Sequence, residues 1–396
     1  MKILIYMDTP GALTGAPRRA LSLAKTLSAH DVEVWVASEH GSELLREAGK
    51  WGIGAVEQDR LETLTRGHGA LLGGGPVFKI RIGLSLLRQN LRFWRLVRRL
   101  DVDGVWIRGS RGIALAGVGT VLSRKSLVWD VDYEPRSEGV VRLLHRFALW
   151  ASSVVVFQYR GAPDGIFGRE LSATYVRKFN AIIPGVEFAR LEEVRRRRKE
   201  IGAGGSEPFT VLQVGMICER KNQLLIVDAM RRLGNAGISE GAIRVRVAGA
   251  IFDEEYASRL RQSLEEAGLT AVFEILGWRE DVAELMADAD LLVMPSKDEG
   301  VPNTVQEAMY IGLPVVVSPV GGMPEIVQEG DTGWIEPLDD PEAWFGRIRW
   351  CMDHREETQA VAGQAAEYAK GAFSLEAWGE EYAQVVRAAG RPGGKR

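Results

Sequence analysis

Short apolar runs, separated by stretches of helical period, recur along the whole chain, and this alternation limits the fold more than any other feature. KILIYM (2–7), VEVWVAS (32–38), GVWIRGS (104–110), SLVWDV (126–131) and SVVVFQ (153–158) carry it in the first half. FTVLQVG, IRVRVAG, AVFEILG, LLVMPS and PVVVS carry it between 209 and 318, each ending in Gly or Ser. Apolar runs of this length, closed by turn residues, read as parallel strands covered on both faces by helices. A chain of 396 residues is too long for one ordinary core. Two successive doubly wound α/β domains are therefore expected. The boundary is expected near 184–208, where IIPGVEF closes the first domain and RRRRKEIGAGGSEP supplies charge, Gly and Pro before the next strand. The basic run Arg195–Lys199 reads as a solvated helix face or junction rather than a ligand site.

Open α/β sheets bind ligands beyond the carboxyl ends of their strands, where helix N-termini offer unpaired N–H groups to anions. Three turns in the second half stand at such places. In VGMICERKNQLLIVDAM (214–230), Gly215 ends a strand, Lys221 adds a full charge, and Asn222 can cap the following helix. In SKDEGVPNTVQEAMYIGLPVVVS (296–318), Pro302, Asn303 and Gln306 read as a capping-box-like helix start, and Gly312 as its stop. Glu299 in the loop and Glu307 on the helix, with seven residues between them, cannot be neighbours on one helix and are not read as a carboxylate dyad. They suit two parts of one hydroxyl-bearing ligand, or simply a cap and a surface. In SPVGGMPEIV (318–327), Gly321 and Gly322 are either an anion nest or a site of tight packing.

Other chemistries find little support. The glycine loop GALTGAP (11–17) lacks dinucleotide-binding and P-loop spacing. The five histidines and the two cysteines, Cys218 and Cys351, show no metal-ligand spacing. There is no G-x-S-x-G. Two cysteines and only five consecutive apolar residues near the start, Ile3–Met7, too few for a signal region, favour a cytoplasmic protein. Residues 1–190 carry 27 Lys+Arg against 18 Asp+Glu, and residues 191–396 carry 23 against 35. The split points either to an anionic partner of the first half or to two unrelated surfaces. Within it, VFKIRIGLSLLRQNLRFWRLVRRL (77–100) holds seven basic residues among aromatic and aliphatic ones. Such a helix can pack its apolar side on the sheet and leave its arginines in water, or it can lie on an anionic inner membrane face. A nucleic acid is not expected as partner, since the total charge is negative.

Taken in order, VGMICERKNQ, IRVRVAG, EILGWREDVAELMADADLLVMPS, EGVPNTVQEAM, GLPVVVSPVGGMPEIV and TGWIEP resemble the retaining family-four glycosyltransferases (glycosyltransferase group 1) of GT-B architecture. The motifs span about 210–337, and the first half matches more loosely. The resemblance implies two Rossmann-like parallel-sheet domains facing a cleft: residues 1–188 on the acceptor side, and 189–373 binding the donor. A closing helix, 374–390, with Trp378 and Tyr382, would return to the first domain. It implies transfer of a sugar from a nucleoside-diphosphate sugar, a UDP- or GDP-sugar first, to an acceptor hydroxyl with retention, without cofactor or required metal. The acceptor stays open, with a lipid-linked or anionic one favoured by the 77–100 segment. Lys221 would bind the donor diphosphate, Glu307 the ribose hydroxyls, and Glu299 the donor sugar. Backbone amides at Asn303 and Thr304 would meet sugar or phosphate. Gly277, Trp278 and Arg279 would flank the base, and the Gly15 loop would close over the donor.

Two positions depart from the family pattern. Met216 stands where a basic residue usually follows the motif glycine, Gly215, which leaves Arg220 as the candidate replacement. Asp132 stands where the family often carries a His, and would accept the acceptor's proton, orient the sugar, or be only a loop carboxylate. These departures leave a weak or inactive GT-B partner subunit as one alternative. A GT-B sugar-nucleotide epimerase is another, although the acid/base set it needs is not evident.

Overall fold

The computed structural model describes residues 1–8, 15–64, 75–131, 137–201 and 208–390. The chain forms two compact units, Met1–Ile183 with Leu375–Arg396, and Pro184–Ser374. The division falls inside IIPGVEF rather than after it. Val186 donates its N–H to Phe373 O at 2.9 Å, and Gln306 Nε2 reaches Pro184 O at 2.8 Å, so this segment is tied to the second unit.

The first unit is a parallel sheet of β1 (Lys2–Tyr6), β2 (Glu33–Ser38), β3 (Gly54–Glu57), β4 (Gly104–Arg108), β5 (Ser126–Val131), β6 (Val154–Phe157) and β7 (Phe179–Ala181). Its order is β3-β2-β1-β4-β5-β6-β7. The central strands are buried almost throughout, as expected of strands covered on both faces. One face packs on the Gly15–Ala29 and Glu43–Lys50 helices, through Leu21, Leu27, Leu44 and Ala48. The other packs on the Pro76–Leu100, Ile113–Gly117 and Gly139–Ala151 helices, through Phe93, Val97, Ile113 and Leu149.

The Leu375–Ala389 helix belongs to the first unit and buries Trp378, Tyr382 and Val386 beside Leu23 and Leu27. A Cβ at Gly379 would lie 2.0 Å from Thr26 Cγ2, so glycine is what allows this helix its close approach. Burial, and then the Asp130 carboxylate, push the Tyr382 hydroxyl far above its ordinary pKa. It therefore stays a protonated hydrogen-bond donor to Asp130.

The second unit is a parallel sheet of β8 (Phe209–Val214), β9 (Ile243–Ala248), β10 (Phe273–Gly277), β11 (Leu291–Met294), β12 (Val315–Val317) and β13 (Trp334–Ile335). Its order is β10-β9-β8-β11-β12-β13. Of the thirteen strands, the sequence reading leaves out β3, β7 and β13. Their residues, GAVE, FNA and WI, give no apolar run of the length that marks the others. The first helix starts at Gly15, within the GALTGAP stretch itself.

On the Glu192–Ile201 helix only part of the basic run is a solvated face, and the rest is a junction within the second unit. Arg196, Arg197 and Lys199 are exposed, but Arg195 is buried and stacks on the Tyr310 ring at 4.8 Å. Arg198 donates to Gly312 O at 2.8 Å and Ala289 O at 2.5 Å. Its guanidinium thus joins carbonyls at the C-terminal ends of two helices, where a cation is favoured. Burial lowers its pKa to about 10, so it remains charged at neutral pH.

Candidate active site

The strand order of the second sheet reverses between β8 and β11, and at such a point the loops diverge and leave a crevice beyond the strand ends. Lys221 follows β8 and Glu299 follows β11, and the structure brings them together there. Lys221 Nζ lies 2.5 Å from Glu299 Oε1, and Arg220 Nη1 lies 3.1 Å from the same oxygen. Lys221 and Glu299 are both only 9% exposed. Two cations on one carboxylate leave one positive charge in excess, in a place where solvent screens little. An anion is the ligand that such a cluster favours.

Local sequence explains how Lys221 is held. A Cβ at Gly215 would stand 2.8 Å from Lys221 Cε, so the lysine stem crosses a bare Cα. Gln213, buried on β8, donates to Lys221 O at 2.9 Å and pins the turn. Asn222 does sit at the N-cap position of the Gln223–Met230 helix, but its side chain makes no cap bond. Its backbone is left-handed, with φ of 54°, a conformation asparagine tolerates better than most residues. The residue turns the chain rather than capping the helix.

The two loops are cross-linked by backbone. Lys297 N donates to Arg220 O at 2.8 Å, and Arg220 Nη1 to Asp298 O at 3.1 Å. Two glycines permit this density. Gly321 has φ of +58°, and a Cβ there would fall 1.8 Å from Glu299 O. A Cβ at Gly249, the last residue of IRVRVAG, would fall 1.9 Å from Gly215 O. The SPVGG turn therefore serves tight packing.

The capping-box expectation is also corrected. The Asn303–Ile311 helix has Pro302 at its N-cap without a side-chain cap bond, and Gln306 is buried and bonded to Pro184 O. Asn303 and Thr304 open this helix, at positions whose N–H groups have no intrahelical acceptor. Gly312, at φ of 81°, ends it as expected, with Leu313 N bonding back to Ala308 O at 2.9 Å. Glu307 is not placed with Glu299 in one cluster: it pairs with Arg190, from the Phe188–Leu191 turn. Phe188 stacks on Tyr310 at 3.8 Å and so seats that turn on the helix.

Gly277, with φ of 68°, ends β10 and accepts a bond from Gly249 N at 2.8 Å. Trp278 beside it is 67% exposed, and Arg279 is paired with Asp281 at 2.5 Å. Met216 is exposed and its carbonyl receives Gln223 Nε2 at 3.0 Å. In the first unit, Gly15 is the first residue of its helix, while Asp132 lies outside the described residues. Among the described residues no three His, Cys, Asp or Glu side chains gather as a metal-binding group.

Sequence reasoning missed Gly249, Gln213 and Arg190. Gly249 carried a signal, a glycine closing a strand, whose meaning depends on β9 lying beside β8. Arg190 carried none, because its pairing with Glu307 joins positions 117 residues apart.

Residues 194–368 match the family model described as glycosyl transferases group 1, nearly the whole second unit. The chain carries a group 1 glycosyltransferase domain. The chain is 29% identical over 190 residues to the putative colanic acid biosynthesis glycosyltransferase WcaL of Salmonella typhimurium, covering 46% of this chain and 45% of that one. It is 42% identical over 162 residues to the N-acetyl-alpha-D-glucosaminyl L-malate synthase of Bacillus anthracis, covering 41% and 40%. The matched stretches thus span less than half of either relative. In fold the likeness extends further. The crystal structure of Anabaena Alr3699/HepE in complex with UDP superimposes with a TM-score of 0.76 at 18% identity, over 98% of this chain and 100% of that one. The fold is that of the GT-B glycosyltransferases, and the Lys221–Glu299 cluster lies inside the glycosyltransferase domain. No helix of the described residues is long and apolar enough to cross a membrane.

Proposed function

We propose that the chain transfers a sugar from a nucleoside-diphosphate sugar to an acceptor hydroxyl with retention of anomeric configuration. The observation that carries this reading is the cluster of buried Lys221 and Glu299 with half-buried Arg220 at the switch point of the second sheet, with one positive charge in excess. That Alr3699/HepE was solved with UDP and with UDP-glucose supports a nucleoside diphosphate as the anion. In this reading Lys221 and Arg220 take the diphosphate, and Arg220 replaces the cation that Met216 does not supply. As the glycosidic bond breaks, negative charge grows on the β-phosphate. Cations already fixed in a poorly screened crevice stabilise it without reorganising. The N-terminal amides at Asn303 and Thr304 add donors of the same sense. Glu307, oriented by Arg190, accepts hydrogen bonds from the ribose, and Gly277 and Trp278 border the base. No side chain is assigned as a covalent nucleophile, so the reading takes front-face transfer.

Glu299 has two roles of opposite sign. Without ligand it shares Lys221 and Arg220, and so competes with the diphosphate for them. With donor bound it accepts a hydrogen bond from the sugar. Glu299→Gln is therefore expected to leave nucleoside-diphosphate binding unchanged or tighter while lowering kcat by ~100-fold. Glu307→Ala is expected to weaken nucleotide binding by ~10-fold, the loss of one charge-assisted hydrogen bond. Calorimetric titration with UDP and GDP, beside a transfer assay on the same variants, reads both effects. Normal binding and normal transfer in both would overturn the assignment.

The reading also gives the leaving-group charge to protein cations rather than to a metal. Transfer is then expected to persist in EDTA at the rate seen with added Mg²⁺ or Mn²⁺. Loss of activity in EDTA that either ion restores would remove that part of it.

A further inference from the structure

The Pro76–Leu100 helix has two apolar faces. Phe93, Leu96 and Val97 are buried on the first sheet. Val77, Ile80, Leu84 and Leu87 are between 54% and 82% exposed, although they recur at i, i+3, i+7 and i+10, the spacing of a single face. Leu84 and Phe93 are nine residues apart, as are Leu87 and Leu96, which is half a revolution at 100° per residue. The exposed stripe therefore looks away from the core. Packing of one apolar side on the sheet accounts for only half of this helix.

The Gly139–Ala151 helix repeats the pattern. Val140, Leu143, Phe147 and Trp150 recur at the same four spacings, and all but the partly buried Phe147 are exposed. Leu149, nine residues after Val140, is fully buried on the same sheet face. Between the two helices runs the continuous Ile113–Leu122 segment. Its Gly119 lies against Asn90 and Phe93 of the first helix, and its Gly117 against Phe147 of the second. Leu122 and Val118, at the end of that segment, are exposed too. Of the fifteen large hydrophobic residues exposed among the described residues, nine lie on these three neighbouring helices.

Charge tells what covers the face. The Pro76–Leu100 helix carries seven basic residues and no acidic one; the Gly139–Ala151 helix carries Arg142 and Arg146 and no acidic one. Arg81, Arg88 and Arg92 are exposed beside the apolar stripe. A second copy of the chain meeting this face with its own would set arginines against arginines. We infer that the face docks the first unit on an anionic lipid bilayer, with the two aliphatic stripes and Trp150 entering the headgroup boundary and the arginines meeting lipid phosphates. The inference concerns the first unit alone and does not depend on the reaction proposed for the second.

The test is co-sedimentation of the full chain with vesicles of phosphatidylcholine alone, or with about a third of it replaced by phosphatidylglycerol. Wild type is expected to bind the anionic vesicles at least ~10-fold more tightly than the neutral ones. Leu84→Glu with Leu143→Glu, and separately Arg81→Gln, Arg88→Gln and Arg92→Gln, change exposed side chains that no fold contact requires. The triple arginine variant is expected to lose ~100-fold in vesicle affinity, at about 1 kcal/mol for each charge near the surface. The double leucine variant is expected to lose ~10-fold or more. Circular dichroism and unaltered nucleotide binding confirm that both variants are folded. Equal binding to both vesicle types overturns the inference, as does binding that neither variant changes. It is likewise overturned by a dimer in sedimentation velocity that Leu84→Glu dissociates, which would give the face to a second copy.

Discussion

Lys221→Ala is expected to lower kcat/KM for sugar transfer by ~100- to 1000-fold, the effect of removing one preorganised donor from a site of developing negative charge. Stability is expected to change little. Glu299 keeps Arg220 at 3.1 Å, so no buried carboxylate is left without a cation. The same variant is expected to lose most of the thermal shift that a nucleoside diphosphate gives wild type. A nucleotide at about 100 times its Kd adds ~2.7 kcal/mol to the stability of wild type. Lys221→Arg is not expected to rescue. The lysine stem runs within 2.8–3.2 Å of where a Cβ on Gly215 would be, and a planar guanidinium fits that channel poorly. A scan of UDP, GDP, ADP, CDP and dTDP on wild type and on both variants gives the readout and names the base. Undiminished turnover in Lys221→Ala would refute the diphosphate assignment. No shift and no turnover in wild type would turn the reading to an inactive partner subunit.

Gly321→Ala is expected to destabilise the second unit by about 3 kcal/mol, and to lower transfer activity in the protein that remains folded. The new methyl carbon would fall 1.8 Å from Glu299 O and 2.9 Å from Gly300 O, at a φ of +58°. Backbone cannot yield as the end of a side chain can, so the two loops must part. Overpacking against backbone and a left-handed alanine add in the same direction. For a unit of this size the midpoint of thermal unfolding is expected to drop by roughly 6–12 °C, at about 2–4 °C per kcal/mol. Gly312 is the control. Its φ is +81°, but nothing lies within 4 Å of a Cβ there. Gly312→Asn, at a helix end where asparagine is tolerated, is expected to cost less than about 1 kcal/mol. Differential scanning calorimetry on the two variants separates crowding from backbone conformation. Equal midpoints would show that the Glu299 loop is not held by Gly321.

The architecture was legible because each buried strand repeats one signal. VVVF and LLVM read as parallel strands covered on both faces, and strand, helix and strand repeated four times over in each half read as doubly wound. The closing helix was legible for the same reason, since Trp378, Tyr382 and Val386 fall on one side at helical spacing. Within the candidate site, Lys221 and Glu299 were found because strand-to-helix turns are where an open sheet exposes donors. Their motifs then fixed which turns mattered. Where side chains were read from their sequence neighbours alone, tertiary contacts took the residue for something else. Gln306 has the spacing of a capping box, yet a buried amide finds a better partner in the Pro184 carbonyl, 122 residues away. Arg198 looks like one more solvated arginine, yet its five donors match four carbonyls left open by two helix ends.

The sequence by itself determined the two parallel sheets and the strands next to the candidate site, because periodicity and turn chemistry act over a few residues; Lys221 and Glu299 were singled out as its cation and carboxylate by the family resemblance. Only the tertiary structure decided that Lys221 and Arg220 share the Glu299 carboxylate, that Arg190 holds Glu307, and that Gly249 and Gly321 are bare because backbone passes there. It also showed that the Pro76–Leu100 helix has a second apolar face turned outward. Each of these depends on which strands are neighbours and which face of a helix the sheet occupies. A linear pattern of apolar and charged residues does not specify either, because the same pattern serves a face that packs and a face that waits for a partner.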